Sequence, residues 1–455
     1  WLSKKYLFSK EFGWDSPDGP ANGIYRATVE NSHGGWIPRL LWKNAAGETV
    51  IGAEIRSHRS KHYGQLTYSE HYPSGYDPDF KIYYYEGGKD VLSGFLRHRA
   101  EFGKLAISAE AQLVNNTYLI QNEKHGTQYT KYAVGNGDTV GNGGKIFSYD
   151  YLFFNPRLGA TYKLDEKTTI YTQLAYTSRE PRLRQLYAAE DAIFGMEDSS
   201  TAAPSFEFKN GVKGVYDFSK PLLKPEKMLN IELGANYTDS RFQFGVNGYY
   251  MDYSDELVKS GMVDYYGNPI EGNAPKSLHA GLEFQGSANI YTKGAISIFL
   301  AANATISHNR IVDYKYQLGD GVVVSLDDNP VAGFPDFMAN LRLTANFDQL
   351  RVSLFGKYTG ESRTDNFGDM LTGNQELKSY LIANDKYYAD NKLDAAFVMN
   401  ADVSYTLTNA FTFERIRFFA QANNIFNKLY AAGGEGKEFF VAAERNYFFG
   451  IEVGF

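Results

Sequence analysis

Three histidines, His58, His62 and His71, lie close together in the chain with Glu70, Asp77 and Asp79 beside them. Imidazole and carboxylate donors of this kind bind transition metals or a haem iron. Their spacing matches no recognisable ligand set, so a solvated polar loop is the plainer reading and the three stay weak metal candidates. A second group is basic: Arg179, Arg182 and Arg184 cluster at the start of the longest unpatterned stretch. Cations there would steer anionic ligands inward over long range, or would pair with Glu180, Glu190 and Asp191. Tyr187, Phe194, Phe206, Phe208, Tyr216 and Phe218 follow, a set suited either to walling a binding site or to packing loops together. Arg179, Arg182, Arg184, Tyr187, Phe194 and Tyr216 are therefore the ligand-binding candidates.

Covalent chemistry finds no support. There is no Gly-rich phosphate loop, no His-Glu-x-x-His helix and no Gly-x-Ser-x-Gly elbow. Gly135-Asn-Gly137 and Gly141-Asn-Gly-Gly144 read as turns. Cysteine is absent, which removes thiolate metal sites, cysteine nucleophiles and disulfides together and suits an exported protein. A net charge of -7 without any basic run argues against nucleic acid as a partner. The expectation is a protein that is not an enzyme and carries no cofactor.

The elements that must position these residues are strands. Tyr (35), Phe (32) and Gly (44) are abundant and Pro (14) is scarce, the mixture that many aromatic-ended strands with tight turns require. Mean hydropathy is -0.41, and no apolar run approaches the roughly 18–20 residues of a spanning helix. A transmembrane barrel accounts for both, because lipid-facing apolar residues alternate with lumen-facing polar ones. Period-two alternation recurs along the chain. Leu229, Ile231, Leu233, Ala235 and Tyr237 oppose Asn230, Glu232, Gly234 and Asn236; Met399, Ala401, Val403, Tyr405 and Leu407 oppose Asn400, Asp402, Ser404 and Thr406. Carboxylates such as Glu232 and Asp402 are costly in lipid and cheap beside a wet lumen.

About fifteen such strands are countable, from near Ile37–Trp42 to Asn446–Phe455. Their connections alternate between short turns (Phe102–Lys104, Leu164–Lys167, Thr238–Arg241 and Phe347–Leu350 among them) and long ones. Those long connections include Ser57–Asp90, Ser178–Lys227, Ser254–Lys276, His308–Pro335, Gly360–Leu393 and Lys428–Glu444. Short periplasmic turns and long extracellular loops produce this pattern in outer-membrane barrels. With Phe455 at the periplasmic side, the first clear strand takes an even number, and Lys4–Ser9 becomes the strand before it. The chain starts at Trp1 with no initiator Met or signal segment. Together these predict residues 1–455 to be the C-terminal portion of a larger barrel.

Several runs resemble the TonB-dependent outer-membrane receptor family. They are Asn155-Pro-Arg-Leu-Gly-Ala-Thr-Tyr162, Ser178-Arg-Glu-Pro-Arg-Leu183, Leu223-Lys-Pro-Glu226 leading into Asn230-Ile-Glu-Leu-Gly234, and Ala422-Asn-Asn-Ile-Phe-Asn-Lys-Leu-Tyr430. The ending Tyr447-Phe-Phe-Gly-Ile-Glu-Val-Gly-Phe455 is similar too. It puts Tyr447, Phe449, Ile451, Val453 and Phe455 on one lipid-suited face. The resemblance implies that this strand is read by the barrel assembly machinery. It also implies a barrel of about twenty-two strands in Gram-negative outer-membrane lipid. An N-terminal plug, a segment that binds the TonB energy-coupling complex, and uptake of a scarce ligand, most commonly a ferric siderophore or other metal chelate, complete the implied picture. Neither plug nor coupling segment is found in this sequence, and a surface lipoprotein lid stays open as a further partner. The alternative is a passive porin-like channel of about sixteen strands, since fifteen plus Lys4–Ser9 reaches that number.

Overall fold

The computed structural model describes residues 23–69, 77–187, 204–263, 269–319, 322–410 and 412–455. The strand expected at Lys4–Ser9 lies outside them, as do His71, Glu70, Glu190, Asp191 and Phe194.

One 17-stranded antiparallel sheet dominates. Its strands are β1 (Gly23–Trp36), β2 (Arg39–Asn44), β3 (Gly47–Ser69), β4 (Tyr83–Phe102), β5 (Leu105–His125), β6 (Lys145–Lys163), β7 (Thr168–Arg179) and β8 (Glu226–Thr238). They continue with β9 (Phe242–Val263), β10 (Pro269–Lys293), β11 (Ile296–Asp313), β12 (Phe337–Phe347), β13 (Leu350–Thr359), β14 (Ala396–Ala410), β15 (Phe413–Asn423) and β16 (Asn446–Gly454). The remaining segment, Gln128–Tyr129, pairs on the end of β5. β1 and β2 both pair with β3 and form one strand interrupted at Ile37–Pro38, where Pro38 can donate no ladder hydrogen bond. From β3 onward each strand pairs with the next, an up-and-down meander. The fold is all-β, a transmembrane antiparallel barrel architecture. No helix among the described residues is long and apolar enough to cross a membrane.

The alternation sorts the two faces as expected. Leu229, Ile231 and Leu233 of β8 are exposed on one face, while Asn230 and Glu232, joined by a 2.7 Å hydrogen bond, share the other. On β6 the outward apolar row runs from Leu152 through Phe154 and Leu158 to Tyr162. That is about 33 Å of strand, which projects to about 25 Å at barrel tilt, the height of an outer-membrane apolar band. Above it the outward face turns polar on neighbouring strands at one level. Ser57, Asp90, Thr117 and Asp150 are successive cross-strand partners. Arg59 and Ser57 bond Asp90 at 2.7 Å, and Thr117 bonds Asp150.

The short turns fall where the sequence placed them, and two share one device. Asp165 accepts hydrogen bonds from the backbone N–H groups of Lys167 and Thr168, and Asp239 does so from Arg241 and Phe242, all at 2.8 Å. Two of the long connections, Ser57–Asp90 and Ser254–Lys276, need a correction, because most of each is strand. β3 runs to Ser69 and β4 begins at Tyr83, so most of Ser57–Asp90 is ladder. The reason is physical: above the membrane the outward face loses its lipid contact and its apolar alternation, while the backbone pairing continues.

The terminal strand carries Tyr447, Phe449, Ile451, Val453 and Phe455 on its exposed outward side, and the Phe455 ring packs edge-on against Phe413 at 5.2 Å. Gly450 faces the lumen with the Phe419 ring lying across it; a Cβ at Gly450 would collide with that ring.

Candidate functional site at the outer mouth

The outer ends of the strands support two loop cores. The first joins the tops of β3 to β6 to the loop after β7. Leu66, Tyr83, Tyr118, Ile120, Phe147, Leu186, Tyr187, Phe206 and Tyr216 are buried in it. Tyr187 is 3 % exposed, and its hydroxyl lies 2.7 Å from both carboxylate oxygens of Glu123 and 2.6 Å from the Tyr132 hydroxyl. Burial pushes the Tyr187 phenol well above its ordinary range, so it stays protonated and donates. Tyr216 stacks on Phe218 at 5.6 Å and meets Tyr132 edge-on at 5.4 Å. These aromatics pack the loops against one another, the second of the two roles open from sequence.

The arginines do not converge. Arg179 closes β7 and is held by Glu226, its cross-strand partner at the start of β8, through two contacts of 2.9 Å. Arg182 leads into a short helix, α1 (Leu183–Leu186), with its backbone N–H donating to Gln185 at 2.7 Å and its side chain exposed. Arg184 sits half-buried on that helix. The expected pairing with Glu180 is corrected for Arg179: Glu180 takes Lys89 at 2.5 Å and Asn116 at 3.1 Å, because the fold brings β4 and β5 over it.

His58 and His62 are also relocated. Both lie within β3 rather than in a loop, four residues apart and so on the same, lumen-facing side as Glu54, opposite outward Ile51 and Ile55. His62 stacks on Tyr85 at 4.5 Å and lies 2.9 Å from the Ser60 hydroxyl. Asp77 accepts the Asp79 backbone N–H at 2.9 Å, which is a turn contact. Among the described residues no group of three His, Cys, Asp or Glu side chains gathers as a metal cluster.

The second core went unseen in sequence. Val258, Ile311, Val324, Leu326, Phe367, Leu371, Leu377 and Leu381 are buried together, with helices α2 (Met370–Gly373) and α3 (Gln375–Ala383) supplying the last three. Four loops are tied by polar bonds. Asn366 donates to the Lys259 carbonyl at 2.6 Å and accepts from the Ala332 N–H at 2.8 Å. Thr364 donates to the Gly436 carbonyl at 2.6 Å, and Lys259 pairs with Glu435 at 3.0 Å. Asp365, fully buried, accepts from Tyr388 at 2.5 Å, Asn391 at 2.9 Å and the Phe367 N–H at 2.7 Å. Burial nonetheless raises its carboxyl above the usual range. Lys224 and Asn273 bridge the two cores by reciprocal bonds of 2.8 and 2.9 Å, and Gln185 bonds Glu271.

Between the cores, the lumen wall holds a buried cluster. The His279 ring lies 3.1 and 3.2 Å from the Glu256 oxygens on one side and 2.8 Å from the Asn309 carbonyl oxygen on the other. Nε2 faces the Glu256 carboxylate, an acceptor, and so carries the proton of that contact. Lower down, an open concavity of about 540 Å³ is lined by Asn236, Gln243, Gln285, Asn303, Asn340 and Arg342, the last lying over the Phe355 ring at 5.5 Å.

An aromatic-edged apolar band, a polar lumen wall, short turns at one end and interlocked loops at the other define an outer-membrane β-barrel. The family described as TonB dependent receptor-like, beta-barrel, matches residues 6–425, and the chain belongs to it. None of the curated proteins matches the sequence. Solved structures with the same fold include the copper transporter OprC, at 14 % identity with a TM-score of 0.62, covering 95 % of this chain and 58 % of that one. The ferric citrate transporter FecA in its unliganded form gives 15 % and 0.59, covering 96 % and 56 %. The siderophore receptor PiuA from Acinetobacter baumannii gives 12 % and 0.58, covering 95 % and 56 %. The chain thus spans a little over half the length of each.

Proposed function

We propose that this chain is the barrel portion of an active-uptake receptor that imports a scarce, bulky nutrient, most readily a ferric siderophore or other metal chelate. The family match over residues 6–425 carries this reading. Three features support it: loop cores that crown the mouth, an exposed Arg182 side chain there, and a carboxamide-rich lumen wall suited to a polar plug. The solved structures of similar fold are named for copper, ferric citrate and siderophores. The barrel does no covalent chemistry; it captures ligand outside and releases it inward when TonB, acting through a plug, opens the lumen. Partners on this reading are outer-membrane lipid, the assembly machinery, TonB and the chelate.

The test is uptake of radiolabelled iron, offered with a panel of chelators, in cells carrying or lacking the full-length receptor and carrying or lacking TonB. Uptake that requires both supports the reading. Steady ion conductance with TonB-independent solute entry would replace it with a passive channel.

A further inference from the structure

His58 has a partner that sequence spacing hid. It stands directly across from His33 in the β1–β3 ladder, and the two rings lie with centroids 5.8 Å apart at an interplanar angle of 52°. Both occupy the lumen-facing side, since Gly34 and Trp36 alternate outward with Ile55 and Ser57. Neither ring has a hydrogen bond to any described residue. His33 is exposed and His58 half-buried, so the pair opens to the lumen. The next lumen-facing position of β1 is Gly35, which contributes no side chain to cover it.

The surrounding charge tolerates a dication. Lys89, the partner of His58 on β4, is neutralised by Glu180 at 2.5 Å, and Arg56 is neutralised by Glu54 at 2.8 Å. The spacing fits as well. With metal–nitrogen bonds of about 2.1 Å, two imidazoles on one ion hold their centroids roughly 5–6.5 Å apart for angles from tetrahedral to linear. Imidazole donors prefer Cu²⁺, Zn²⁺ and Ni²⁺ over the hard cations that carboxylates and carbonyls select, and Cu²⁺ heads that order.

We infer that His33 and His58 form an open, two-imidazole site on the lumen wall for a borderline divalent transition-metal ion, Cu²⁺ most tightly. Water or the donor atoms of a chelate complete the coordination, so the ion exchanges readily. The inference rests on the wall geometry alone and stands whether or not the uptake reading holds.

The test uses the untagged full-length protein in detergent, titrated with Cu²⁺ alone and followed by electron paramagnetic resonance. The wild type is expected to show a copper signal with hyperfine structure from two nitrogens. Losing even the hydrogen-bond partner of a metal ligand weakens metal sites by about 10–100-fold, so His33→Gln or His58→Gln should weaken binding by at least about tenfold. His62→Gln should leave it unchanged. Heat-modifiable electrophoretic migration reports whether each variant is folded. Independently of any variant, Cu²⁺ should protect His33 and His58 of the wild type from carbethoxylation, read by mass spectrometry. An unaltered signal in the folded double variant, or modification of both histidines unaffected by Cu²⁺, overturns the site.

Discussion

At the scale of single residues, the buried hydroxyl of Tyr187 separates packing from polar satisfaction. Tyr187→Phe keeps the ring and removes the donor to buried Glu123, leaving that carboxylate with His125 at 3.0 Å. An acceptor deprived of a buried partner costs about 1–3 kcal/mol, so the first loop core should loosen by that amount. Tyr216→Phe removes a hydroxyl that bonds nothing described and should be close to neutral. Protease susceptibility of the outer loops in the folded barrel reads both, and equal effects would contradict the assignment. Charge acts at Asp327 in the His308–Pro335 loop, where Lys315 at 2.8 Å and the Tyr314 N–H at 2.9 Å hold its carboxyl down at about 2. A depressed folded pKa stabilises above the unfolded value near ~3.9 and is lost as pH falls toward the folded one. Order in the Lys315–Gly319/Val322–Ser325 hairpin should therefore persist at pH 5 and fade between about pH 4 and 2. Nuclear magnetic resonance of the loop amides against pH would show this, and Asp327→Asn should flatten the profile.

At the scale of elements, legibility tracks whether the physics is local. Alternation in β8 and β14 and the Asp-led turns could be read directly, because lipid contact and Asx bonds each act within a few residues. The partner of Arg179 could not be read, since Glu226 lies 47 residues on and becomes its neighbour only through the β7–β8 register. The same holds for His33 beside His58, and for the Asn366 bonds that gather loops from distant parts of the chain. Strand extensions above the membrane resemble loop in sequence because their outward faces are polar. The turns offer a local test. Asp239→Ala deletes both acceptor bonds to Arg241 and Phe242 while leaving the flanking ladder intact. It should slow refolding of the β8–β9 hairpin into lipid vesicles and leave the folded yield nearly unchanged, measured as the rate at which the heat-modifiable band appears.

At the scale of the whole molecule, one assignment governs the rest: which face meets lipid. The sites on the lumen wall, from the His279–Glu256 cluster to the amide-lined concavity, are placed by that assignment. Leu233 and Glu232 test it as adjacent residues on opposite faces of β8. Leu233 lies midway along the outward row Leu229–Tyr237 and is 63 % exposed, a position at the middle of the bilayer. Arginine on the lipid face of a barrel costs about 2–4 kcal/mol at the midplane and little near the interfaces. Leu233→Arg should accordingly destabilise the barrel folded in phosphatidylcholine vesicles by that amount. Glu232→Arg, one residue away, places the same side chain beside water and should change stability by less than about 1 kcal/mol. Equilibrium urea titrations in the presence of vesicles give both values. A larger penalty at Glu232 would mean that the faces are reversed, and equal penalties that lipid distinguishes neither; in both cases the lumen chemistry derived from the assignment would fall.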